Sequence, residues 1–354
     1  MSGLADVAVI GFEQAPTVAA TDGTTNGVEM LVPVFSRLLS GAGITKADVG
    51  FWCSGSSDYL AGRAFSFVSA VDAIGAFPPI VESHVEADAA WALYEAWLKL
   101  RMGEAQVALV YGFGKSSAGR LRQVLTLQTD PYTVAPLWPD SIGLAGLQAR
   151  AGLDVGAWTE KDMARVAVRS RAAAAANPAA QLGGVLDVDD LLAEPYLADP
   201  LRRHDIAPVG DGAAAVLLAA GDRARELVAH PAWIRGIAHQ VESAHLGVRD
   251  LVRSPSTTAA AAAAGGVHGV QIAELHAPFT HQELVLGQAL GLPDDVAINP
   301  SGGALTGNPM FAAGLVRIGE AARHVLSGDA DRVLAHATQG PLLQHNLVTV
   351  MEAR

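Results

Sequence analysis

Asn299-Pro300-Ser301-Gly302-Gly303-Ala304-Leu305-Thr306-Gly307-Asn308-Pro309 concentrates glycine, proline and asparagine in one short segment. Such a segment is a sharply folded loop, since glycine reaches left-handed backbone freely, proline fixes φ and asparagine tolerates the left-handed region. On that ground alone Asn308, between Gly307 and Pro309, is a turn residue. Outward from this loop the chain alternates short apolar runs with longer helical stretches. Ala8–Gly11, Val107–Tyr111, Ala213–Leu218, Ile272–Leu275 and Arg332–Ala335 read as buried strands. Val28–Ser40, Ala87–Met102, Glu160–Ala176, Thr280–Leu290 and Met310–Ser327 read as helices, and Pro255 to Gly266 as a further alanine-rich helix with a glycine cap. The alternation predicts an α/β fold. The same strand–helix–strand order recurs on both sides of about residue 222, which predicts two halves, 1–222 and 223–354. A proline- and tryptophan-rich insertion over about 116–206 interrupts the first of them.

Composition narrows the function. The chain has 354 residues, half of them hydrophobic, enough for a large core. Its net charge is −12, with no basic run, which argues against nucleic acid and anionic membranes as partners. No apolar stretch approaches the ~20 residues of a membrane span. The amino terminus lacks a basic, apolar leader, and the single cysteine, Cys53, rules out an internal disulfide and a multi-cysteine metal site. These features predict a cytoplasmic protein. Gly112-Phe113-Gly114-Lys115-Ser116 ends like a phosphate loop, but Leu109 stands where the first glycine belongs, and Ser117 stands where a dinucleotide fingerprint has its third glycine. No nucleophile elbow of the serine hydrolases is present. His276 and His281 lack the spacing of a zinc helix, so no metal is expected.

Asp211-Gly212-Ala213-Ala214-Ala215 and the opening loop resemble two signatures of the thiolase superfamily. Ala273-Glu274-Leu275-His276-Ala277-Pro278-Phe279 looks like the NEAF/HEAF loop, and Arg332 to Gln344 sits where the last catalytic loop belongs. The nearest branch is that of the actinobacterial lipid-transfer proteins, often labelled acetyl-CoA acetyltransferases, which includes retro-aldolases that shorten steroid side chains. The resemblance implies two similar halves in five layers (α-β-α-β-α) with a loop-domain insertion, a homodimer, and for the aldolases a small zinc-ribbon/OB-fold partner.

Carried over residue by residue, the resemblance places Glu86 at the position of the nucleophilic cysteine, deep in the expected pocket. It also places Asn308 at the histidine of the GHP motif and Thr338 near the second cysteine, while His276 matches the residue that organises the oxyanion site. Glu86 and Asp88 are also explained as anions in a first helical turn, each stabilised by ~0.3–1 kcal/mol. Thr280 and Glu283 have the spacing of a capping box, which accounts for both without chemistry. His281 reads either as a capping or solvated histidine or as a donor into the pocket. Tyr132, in the insertion, is a candidate acid because the aldolase relatives are thought to use tyrosines.

The expected activity is retro-aldol cleavage of a bulky, steroid- or lipid-derived acyl-CoA, with CoA as part of the substrate and no other cofactor. Glu86 would be the base, and His276, Asn308 and backbone donors near Gly302 and Gly303 would hold the thioester oxygen. The alternatives are a non-catalytic acyl-CoA or lipid carrier and a scaffold subunit for the small partner.

Overall fold

The computed structural model describes residues 4–22, 27–58 and 66–353, with backbone only at 66 and 69. Its strands are β1 (Val7–Gln14), β2 (Phe51–Gly55), β3 (Glu82–Val85), β4 (Val107–Lys115), β5 (Val209–Ala220), β6 (Ala232–Val241), β7 (Ile272–Leu275), β8 (Ala297–Ile298), β9 (Asn308–Pro309), β10 (Arg332–Gln339) and β11 (His345–Glu352). The strands run β3-β2-β4-β5-β1-β6-β11-β10-β7-β8, with β9 pairing β5 off this path.

Read outward from the middle, both sides repeat one plan. β1, β5 and β4 are antiparallel neighbours, as are β6, β11 and β10. β4, β2 and β3 are parallel, as are β10, β7 and β8. The two sets meet where Ala8 and Val9 of β1 face Trp233 and Ala232 of β6.

Period-two alternation sorts the side chains of β5 into two cores. Ala214, Val216 and Leu218 face a central layer, whereas Ala213, Ala215, Leu217 and Ala219 face an outer one with helix Gly27–Gly41. The central layer holds helices Ala89–Arg101 and Ala313–Leu326, and Val333, Ala335 and Ala337 of β10 close it from the other side. Helices Pro255–Ala263 and Thr280–Leu290 cover the far face, with Leu144, Ala149, Trp158 and Met163 of the insertion packed among them. Five layers result, as the resemblance implies.

The starts of the central helices press close to the first sheet because the sheet offers glycine there. A Cβ on Gly112 would lie 2.4 Å from the Phe311 carbonyl oxygen, and one on Gly114 2.4 Å from that of Met310.

Candidate active site

His276, just past β7, Asn308 in β9 and Thr338 in β10 come together and are almost entirely buried. His276 Nε2 lies 3.0 Å from Asn308 Oδ1, and the Thr338 backbone N–H donates to His276 Nδ1 at 3.4 Å. A neutral imidazole has one donor and one acceptor nitrogen, so accepting at Nδ1 puts its proton on Nε2. That proton goes to the Asn308 oxygen, which leaves the Asn308 Nδ2 hydrogens as the donors this pair can present. Burial pushes the His276 pKa down to about 3, against a smaller upward pull from Asn308. The ring is therefore a neutral hydrogen-bonding group, suited to an oxygen that gains charge and unsuited to act as a base at neutral pH.

Two networks hold the chain around His276. On one side Glu274, fully buried, pairs with Arg317 Nη1 at 2.6 Å and accepts from the Ser301 hydroxyl and backbone N–H. Burial raises its carboxyl above the usual range, with Arg317 opposing. On the other side Asn299, itself left-handed at φ 51°, accepts the Leu275 N–H at 2.6 Å and donates to Glu283 at 2.7 Å, and Glu283 also pairs with Arg169 of the insertion. These bonds replace the expected capping box: the Thr280 hydroxyl donates to Asp205 at 2.5 Å, and both Glu283 oxygens are already engaged.

Gly302 and Gly303 turn the loop with φ of 100° and 66°. Side chains there would strike Thr306 and Asn299 respectively. Their N–H groups are already committed, to the Asn299 carbonyl at 2.9 Å and to Ser301 Oγ at 3.3 Å, so they are not the expected backbone donors.

Gln339, next to Thr338 in β10, leads to a second polar group centred on Asp88, neither of them singled out in the sequence as a site residue. Asp88 caps its own helix through Ala90 N–H at 2.9 Å and also receives Gly314 and Leu315 N–H, at 2.9 and 3.1 Å, from the second central helix. Burial raises its carboxyl, while the three donors hold it down. Gln339 Oε1 accepts the Asp88 N–H at 3.2 Å, and its Nε2 lies 3.0 Å from His345 Nδ1. His345 in turn meets Trp91 and His239 at 3.1 and 3.2 Å. The signal for Gln339 was its place in the last loop beside Thr338; for Asp88, nothing in the sequence placed a second helix within its reach.

The other expected residues fall elsewhere. Glu86 is not deep in a pocket: its side chain is 57% exposed, with His84 Nε2 3.7 Å away, and the buried carboxylate at this helix start is Asp88. The Thr338 hydroxyl donates to the His345 carbonyl at 3.1 Å, so this residue serves His276 through its backbone. Tyr132 is 88% exposed in the insertion. His281 is neither solvated nor an N-cap: it is fully buried in the first turn of its helix, 3.1 Å from Gln148, and burial lowers its pKa to about 3. Cys53 is buried in β2, where desolvation pushes its thiol pKa up. Among the described residues, no cluster of three histidine, cysteine or carboxylate side chains could hold a metal ion, and no helix is long and apolar enough to cross a membrane.

No family model matches the chain. An acetyl-CoA acetyltransferase of Methanothermobacter thermautotrophicus is 26% identical over 348 residues, covering 89% of each chain. A 17-hydroxy-3-oxo-4-pregnene-20-carboxyl-CoA lyase of Mycobacterium tuberculosis is 26% identical over 237 residues, 62% of this chain and 61% of the lyase. Among solved structures, the Ltp2-ChsH2(DUF35) aldolase aligns over 99% of this chain and 98% of its own with a TM-score of 0.80 at 20% identity. Human mitochondrial 3-ketoacyl-CoA thiolase aligns over 99% of both chains with a TM-score of 0.77 at 17% identity.

Proposed function

We propose that this thiolase-superfamily chain cleaves a carbon–carbon bond in a bulky, steroid- or lipid-derived β-hydroxyacyl-CoA by retro-aldol chemistry. The observation that carries the reading is the buried His276–Asn308 pair, a neutral donor assembly fit for a thioester oxygen, with no thiol beside it. In this reaction a base removes the β-hydroxyl proton and the bond between the α and β carbons breaks. Its electron pair passes into the thioester, and the enolate is then protonated at the α carbon. The products are a ketone or aldehyde and a shortened acyl-CoA. Nothing is oxidised or reduced and no acyl-enzyme forms, so neither a cysteine nor a cofactor beyond the CoA of the substrate is required. Asn308 Nδ2 would meet the thioester oxygen as charge develops.

The test is incubation of the protein with 17-hydroxy-3-oxo-4-pregnene-20-carboxyl-CoA, the compound in the lyase relative's name, and mass spectrometry of the products. A ketone and a shortened acyl-CoA in equal amounts are expected, with Asn308→Ala slowing their formation by about 10²–10³-fold. Binding without cleavage, with or without a partner protein, would sink the proposal.

The same reading includes a cytoplasmic homodimer and a small zinc-ribbon/OB-fold partner. β3 supports the dimer: it ends the path of strands, and exposed Phe77 and Val81 lie just before it, an edge that another chain can extend. The two-component name of the aldolase neighbour motivates the partner.

A further inference from the structure

The loop between β10 and β11 is held in a conformation that its own residues oppose. Leu342 and Leu343 are both left-handed, with φ of 57° and 56°, just after Gly340 at 75°. A Cβ in that region crowds the following carbonyl, and two such residues in succession persist only where the surroundings fix them.

Here the surroundings take every carbonyl from 341 to 344. Arg249 Nη1 donates to Pro341 O at 3.2 Å and Nη2 to Leu342 O at 2.6 Å. Asn346 Nδ2 donates to Leu343 O at 2.8 Å, and the Glu242 N–H to Gln344 O at 2.8 Å. Arg249 is itself fixed, because its Nε donates to Glu242 Oε2 at 3.1 Å, and the other Glu242 oxygen accepts from the Ser256 hydroxyl at 2.5 Å and backbone N–H at 3.2 Å. The arginine side chain is 4% exposed.

The loop follows directly on Thr338 and Gln339, the two groups that face His276 and the Asp88 N–H. We propose that Arg249 is a positioning residue for the candidate site: its fork on two successive carbonyls sets the loop so that the Thr338 N–H meets His276 Nδ1. That contact fixes the ring proton on Nε2 and so orients the Asn308 amide. The proposal deepens the retro-aldol reading and rests on it for its catalytic consequence.

The test compares Arg249→Ala and Arg249→Lys with the unaltered full chain by hydrogen–deuterium exchange of residues 338–346 and by kcat and KM on the pregnene-carboxyl-CoA thioester. Faster exchange in this segment is expected for Arg249→Ala, with kcat down about 10–100-fold, KM little changed, and partial recovery when guanidinium ion is added below denaturing concentration. Arg249→Lys keeps the charge without the fork and should fall between, which keeps the test available should the alanine variant not fold. Unchanged exchange overturns the clamp, and faster exchange with unchanged kcat overturns its role at the site. Absence of turnover in the unaltered protein refutes the retro-aldol reading and with it the catalytic role, whereas the exchange result still decides whether Arg249 holds the loop.

Discussion

His276, His281 and His336 are fully buried and neutral, with pKa values pushed down by burial to about 3, 3 and 4. Their ring-proton resonances are expected to stay fixed between pH 8 and 5 in a histidine NMR titration. The unfolded chain takes up these protons below its ordinary histidine pKa of about 6.5 and the folded chain does not, so this contribution to stability is complete above that pH and is lost progressively as pH falls toward about 3. Asn308→Ala removes the donor left over by the His276 bond and is expected to lower kcat by about 10²–10³-fold, and, since the buried His276 Nε2–H loses its acceptor, to cost about 1–3 kcal/mol of stability, measured by turnover and denaturant unfolding. His276 and Asn308 were legible because each stands in a motif of its own. Glu86 was misplaced because counting along a helix start fixes the residue and not the direction of its side chain. His281 was misread because its partner, Gln148, lies far away in sequence.

Elements were read best where local pattern and burial agree. Thr280–Leu290 and Ile272–Leu275 have the bounds that periodicity and turn residues suggest. β2, β3, β6 and β11 were not recognised: Phe51-Trp52-Cys53-Ser54-Gly55 is short and ends in small polar residues, and its strand character comes from pairing with β4 and β3 on either side. Asp88 makes the consequence of packing measurable. An ordinary N-cap typically contributes ~1 kcal/mol, and this one serves two helices, so Asp88→Ala is expected to cost about 2 kcal/mol in denaturant unfolding. A loss no larger than that of a single cap would show that the bonds to Gly314 and Leu315 contribute little.

At the scale of the whole molecule, the central layer belongs to neither half alone. Ala90, Leu93 and Ala96 of the first half share one core with Leu315, Ile318 and Ala322 of the second. A fragment ending at residue 222 would leave that apolar face open, and it is expected to bind a hydrophobic dye and aggregate rather than melt cooperatively, checked by dye fluorescence and calorimetry. The doubled strand plan was legible as a repeat of order, but the joint between β1 and β6 was not, since two facing residue pairs leave no pattern in sequence. The doubling is also imperfect in one place. The helix that opens at Ala313 has no side-chain cap of its own and borrows Asp88 from its counterpart. Two identical units related by a two-fold axis could not share in this way, because each would bring the same carboxylate to the axis and the two charges would repel. A chain whose two halves are joined and unlike can leave one of the paired positions empty, and the other fills both.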